Sequence, residues 1–163
     1  MTEPLFWLAP GAALAALLFA ALFFQAMRRQ DKGTPEMRRI GGHVRAGAMA
    51  YLRQQYRVMV VVFVGLAVVF AVLAYGFAVQ NPWLPFTFLC GGFFSALAGY
   101  IGMQTATLAS TRTAAAARSS LGQSLRVAFR SGAVIGLAVV GLGLANCAGW
   151  FLLVDWLTPA STD

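Results

Sequence analysis

Acidic residues are scarce in this chain: Glu3, Asp31, Glu36, Asp155 and Asp163 are all it has among 163 residues. There is one histidine, His43, and there are two cysteines, Cys90 and Cys147. Charged residues of both signs make up 10% of the sequence, against roughly 25% in a typical soluble domain. So few charges cannot cover a water-facing surface of this size, which leaves lipid as the solvent. A lone histidine among basic neighbours, with no partner in sight, does not make a general base. No Ser/His/Asp or Cys/His set can be assembled. The cysteines show neither CxxC nor Cys/His metal spacing. They read as small buried hydrophobes, and their positions leave a bridge open without requiring one. A P-loop is missing, and a magnesium–phosphate site wants carboxylates, which the basic segments supply only as Asp31 and Glu36.

What the chain does have is long apolar runs. Four stand out: residues 5–26, 58–79, 84–107 and 133–156, each 22 to 24 residues long. At ~1.5 Å per residue such a helix covers ~33–36 Å, enough for a hydrocarbon core of ~30 Å. The N-terminus has no basic start, and its apolar run is too long for a signal peptide, so it reads as the first span. The expectation is an all-α integral membrane protein: a single transmembrane domain over 1–163, with four spans and no separate soluble domain.

The positive charge is concentrated between the runs. Segment 28–57 holds Arg28, Arg29, Lys32, Arg38, Arg39, Arg45, Arg53 and Arg57, and segment 110–131 holds Arg112, Arg118, Arg126 and Arg130. The turn 80–85, the N-terminal leader and the tail after Trp156 hold no Lys or Arg. The positive-inside rule therefore puts both basic segments in the cytoplasm and both termini outside, in a cell (inner) membrane. It also accounts for the net charge of +7 without nucleic acid as a partner. Trp83 and Trp156 mark the outer interface, where amphipathic rings favour the headgroup level. Asn81-Pro82 and Pro85 make a sharp outer turn. Ile40, Val44, Ala48, Tyr51 and Leu52 recur at helical spacing, as do Leu121, Leu125 and Phe129. Each set predicts a helix at the membrane surface that leads into the following span.

Ion pumping needs ionisable groups within the membrane. The runs place no acid, Arg, Lys or His near a span centre, so no catalytic, cofactor-binding or metal-binding residue is assigned. Small residues do recur at spacing four: Gly91, Ser95 and Gly99; Ala98, Gly102 and Ala106; Gly132 and Gly136; Gly141, Ala145 and Gly149. Such stripes let helix backbones approach closely in lipid. Ser95, Gly99, Gly102, Gly132, Gly136 and Gly141 are the expected packing positions.

Two passages go beyond composition. One is Gly47-Ala48-Met49-Ala50-Tyr51-Leu52-Arg53-Gln54-Gln55-Tyr56. The other runs from Phe94 to Met103, on through Ala106-Thr107 and Arg112-Thr113-Ala114, then Ala128-Phe129-Arg130-Ser131-Gly132 and Val140-Gly141-Leu142-Gly143-Leu144. In this order the sequence resembles the N-terminal region of the membrane-integral pyrophosphatases, from about Gly41 to Leu144. The resemblance implies a subunit of sixteen spans in an inner and an outer ring, with the first four in the outer ring, and a homodimer. It implies diphosphate hydrolysis coupled to outward proton or sodium transport. Magnesium is implied for the complete protein, and a requirement for potassium stays open. The family's ligands and gate acids lie on later spans, so the expectation is an N-terminal piece, inactive alone, whose partners are the bilayer and the missing C-terminal spans. Arg112 and Thr113, at the cytoplasmic end of span three, are expected to be anchors. The alternative is a standalone four-helix membrane scaffold or partner-binding protein.

Overall fold

A computed structural model describes residues 4–77 and 81–157. Glu3, Val79, Gln80 and Asp163, which enter the span, turn and terminus expectations, lie outside the described residues. After a 3-10 turn at Pro4–Trp7, the chain folds into four long helices: α1 (Leu8–Arg28), α2 (Pro35–Ala71), α3 (Leu84–Ala117) and α4 (Leu121–Leu157). A π-helical turn, Val72–Gly76, continues α2. All four helices are long and apolar enough to cross a membrane, and there is no strand among the described residues.

Local chemistry sets the helix ends. Asp31 Oδ1 accepts the Gly33 N–H at 3.2 Å, and Gly33 takes φ +76°, the left-handed region that glycine enters without a Cβ penalty. The Thr34 hydroxyl then accepts the Met37 N–H at 3.4 Å, and Pro35 stands at the first helical position, where its missing N–H costs nothing. An added Cβ at Gly33 would lie 2.7 Å from Met37 Sδ and 3.0 Å from the Ala115 Cβ. Gly33→Ala is therefore expected to destabilise this corner by about 1–2 kcal/mol, read as a lower thermal midpoint in mild detergent.

The basic segments are not loops. The turn between α3 and α4 is only residues 118–120. The reason is local: Ala114–Ala117 are strong helix formers, Ser119 Oγ donates back to the Ala116 carbonyl at 2.9 Å, and Ser120 Oγ caps α4 by accepting the Gln123 N–H at 3.1 Å. On the other side, residues 35–57 belong to the same helix as the apolar run that follows them. At ~1.5 Å per residue, the 37 residues of α2 and of α4 extend ~55 Å, well beyond a ~30 Å core.

The helices form a row rather than a ring. α4 packs against both α1 and α3, which also meet each other, and α2 packs against α3. Neighbours run antiparallel, so the C-termini of α1 and α3 and the N-termini of α2 and α4 share one end, the basic end. Small residues fill the interior: Ala13, Ala16 and Ala20 of α1, Ala98 and Ala109 of α3, Ala138, Gly141 and Ala148 of α4 are buried. Leu14, Leu18, Phe19, Val60, Val61, Val64, Phe93 and Phe129 point outward, each more than half exposed. Apolar side chains gain nothing by leaving lipid, so close backbone approach decides which face is buried.

The contacts also fix the relative heights. The Phe6 and Phe151 rings meet at a tilt with centroids 4.7 Å apart, a Cβ on Gly91 would sit 3.8 Å from Asn146, and one on Gly102 would sit 3.5 Å from Ile135. The apolar runs of α1, α3 and α4 thus lie in one layer. α2 is out of step with them. Its Tyr56 hydroxyl donates to the Ala96 carbonyl, and Phe63 stacks on Phe88 at 5.0 Å. Ala96 is the middle of the third run, so Tyr56 and Arg57, placed by the hydropathy pattern at the membrane edge, stand at the centre of the layer. The side-by-side register of α2 and α3 thus sets the start of the second apolar run level with the middle of the third.

Candidate functional site

The basic end carries the most structured polar chemistry. Met27, Ala109 and Val127 form a buried cluster there, with Phe24, Leu108 and Ala116 against it. Arg112 lies beside it, 3% exposed. Its Nη1 donates to the Leu108 carbonyl at 2.6 Å, and its Nη2 to the Arg28 carbonyl at 3.4 Å. Arg28 ends α1, where the last carbonyls have no intrahelical partner and the helix dipole favours a cation. Arg112 therefore joins α3 to the C-terminus of α1. The Thr113 carbonyl accepts from Ser124 Oγ at 3.1 Å and joins α3 to α4. Arg112 Nε, Thr105 Oγ1 and Asn146 Oδ1 are buried without a hydrogen-bond partner.

A cleft of about 590 Å³ opens at this end, lined in part by Gln30, Asp31, Thr34, Arg112, Arg118 and Gln123. Its wall offers cations and amides but one carboxylate. Asp31 lies 3.8 Å from Arg38, and Glu36 3.1 Å from Arg39. No group of three or more His, Cys, Asp or Glu among the described residues could hold a metal. The described residues at this end do not fit a magnesium site. His43 is exposed on α2. Cys90 and Cys147 are free thiols.

The six positions on the small-residue stripes separate. Gly141 is buried, and a Cβ there would lie 2.8 Å from Leu17 and 3.2 Å from the Ala13 carbonyl. Gly102 faces α4, and Gly99 faces α2, where a Cβ would lie 3.2 Å from the Tyr56 hydroxyl. Ser95, Gly132 and Gly136 are exposed, with nothing within 4 Å of a Cβ on either glycine.

Other close contacts lay outside those stripes. A Cβ on Gly92 would overlap the Phe63 ring, and one on Gly41 the Thr111 methyl group. The stripe Ala13, Ala16 and Ala20 on α1 was visible as spacing, but alanine is too common to single out. Arg45 donates to Gln104 at 2.6 Å, and Gln104 to the Tyr100 hydroxyl at 2.5 Å. No sequence signal pairs residues 59 positions apart. The Tyr56–Ala96 bond is half-buried, so Tyr56→Phe is expected to lower stability by about 1 kcal/mol, measured as a shifted thermal midpoint with the fold retained.

Sequence comparison adds what this geometry cannot. The profile of the inorganic H+ pyrophosphatases matches residues 14–162. The chain belongs to this family. A putative K(+)-stimulated pyrophosphate-energized sodium pump of Bacteroides thetaiotaomicron is 55% identical over 160 residues, covering 98% of this chain and 22% of its own length. A K(+)-insensitive pyrophosphate-energized proton pump of Methanosarcina mazei is 38% identical over 93% of this chain and 22% of its own length. A K(+)-insensitive pyrophosphate-energized proton pump 2 of Moorella thermoacetica is 42% identical over 90% of this chain and 21% of its own length. The chain spans about a fifth of the curated relatives it matches. It corresponds to the N-terminal part of these pyrophosphatases, and it is a multi-pass integral membrane protein.

Proposed function

We propose that this chain is the N-terminal scaffold of a pyrophosphate-energised ion pump and takes no part in diphosphate hydrolysis except through the spans that follow it. The observation that carries this reading is the near-complete match to the opening fifth of such pumps, in a chain whose described residues bring no carboxylate cluster together. In the complete protein the later spans bind diphosphate and magnesium and move the ion outward, and two subunits form a dimer. The helix row suits an outer-ring wall, with one face left for an inner ring. The basic end faces the cytoplasm and both termini face outward across the cell membrane, as the distribution of Arg and Lys favours.

The test is the size and activity of the protein in its native membranes. An antibody against residues 28–57 is expected to detect a band far above 17.4 kDa that copurifies with magnesium-dependent diphosphate hydrolysis. A band near 17.4 kDa with no companion subunit would sink the reading.

A further inference from the structure

The height of Arg53–Arg57 on α2 calls for a partner that the described residues do not supply. Tyr56 bonds to the Ala96 carbonyl. Ala96 is twelve residues from Leu84 and eleven from Thr107, the ends of the third apolar run, or ~18 Å and ~16 Å along the helix. Arg57 follows Tyr56 directly, so it stands level with the middle of the third apolar run. The inner boundary at that depth is marked by three neighbours: Arg28 ends α1, Arg112 contacts the Arg28 carbonyl, and Arg130 lies on α4 one turn past Arg126. An arginine side chain leaning toward the basic end from position 57 does not reach that layer. Arg53, Gln54, Gln55 and Arg57 are all exposed, and of these five residues Tyr56 packs on α3.

Ionisable residues at such depth face a protein interior and pair with one another or with other polar groups. No acid among the described residues is placed to do so. Asp31 and Glu36 sit at the basic end beside Arg38 and Arg39, and Asp155 lies near the opposite end of α4. Glu3 and Asp163 belong to the chain termini. The relatives carry nearly four-fifths of their length outside the matched region.

We propose that the Arg53–Arg57 segment of α2 docks at mid-membrane depth against a helix bearing a carboxylate, supplied by the part of the pump beyond these 163 residues. The assignment rests on the function proposed above. It makes this stretch of α2 a protein-facing seam.

The test has a decisive sign. At a lipid-facing site, replacing a mid-membrane arginine with leucine removes a cost and raises stability. At a paired site it leaves a carboxylate stranded. In the protein expressed from its own gene, Arg57→Leu is expected to lower the thermal midpoint in mild detergent by several degrees. Arg57→Glu should lower it further and Arg57→Lys least, because the partner is negative. If the leucine and glutamate variants fail to accumulate while the lysine variant does, the same order is read from membrane abundance. An Arg57→Leu midpoint equal to or above wild type overturns the proposal, and so does an Arg57→Lys variant as unstable as Arg57→Leu. The immunoblot separates the two readings. A 17.4 kDa native band overturns the proposed function and removes the source of the carboxylate. A full-size band with a stable Arg57→Leu variant overturns this inference alone.

Discussion

Gly141→Leu is expected to undock α1 from α4 and to give the largest loss of folded protein of any single substitution considered. Position 141 is a tight contact between the two helices. A Cβ there already falls 2.8 and 2.9 Å from Leu17 and 3.2 Å from the Ala13 backbone carbonyl. The Leu17 side chain can swing aside; the carbonyl is part of α1 and cannot move without it. A branched side chain must therefore push the helices apart and lose the packing of Ala13, Ala16 and Ala20. In lipid no hydrophobic force opposes that separation. The cost is expected at about 3 kcal/mol, the upper range for overpacking, with Gly141→Ala near 1 kcal/mol. Gly143→Ala is the control, since nothing lies within 4 Å of its Cβ, and its midpoint should match wild type. Thermal midpoints of the three variants in mild detergent check the order. A Gly141→Leu protein as stable as Gly143→Ala would mean that the α1–α4 contact does not hold α1 in place.

Arg112→Ala is the second large effect. The substitution removes both guanidinium bonds, to Leu108 and to the end of α1. It also opens a void beside Met27, Ala109 and Val127. Charge-assisted bonds contribute about 1.5–3 kcal/mol when a partner is lost. Against that stands the relief of a buried cation that no acid of the described residues neutralises, so a net loss of about 2 kcal/mol is expected. Arg112→Lys is not expected to restore it, because one ammonium on a flexible stem cannot reproduce the planar fork that reaches two carbonyls. The local consequence is specific: α1 frays from its C-terminus. Hydrogen exchange should rise at residues 25–30 and stay unchanged at the outer end of α1. Uniform exchange along α1 would mean that Arg112 supports the bundle generally rather than this helix end.

These contacts show what each level of description reaches. Four helices and the basic end follow from runs of apolar residues long enough to cross lipid and from the charges between them, because those constraints act on each segment separately. Arg112 stood out as an anchor through its motif, but its partner, a carbonyl 84 positions away, is set only by how α1 and α3 meet. Gly141 and Gly132 look alike as members of small-residue stripes. The first meets α1 and the second meets nothing among the described residues, because which stripe is buried depends on the neighbour each helix face receives. The height of Arg57 is the sharpest case. Hydropathy puts it at a membrane edge, since the run begins at Val58. Packing of Tyr56 and Phe63 against α3 moves it to the centre of the layer. The sequence by itself determined that this is a four-helix membrane segment of the pyrophosphatase family, because length, charge placement and ordered motifs are properties of the chain. Only the tertiary structure decided which small residues pack, what Arg112 holds and which part of α3 Arg57 stands level with, because these depend on register between helices that the sequence does not order.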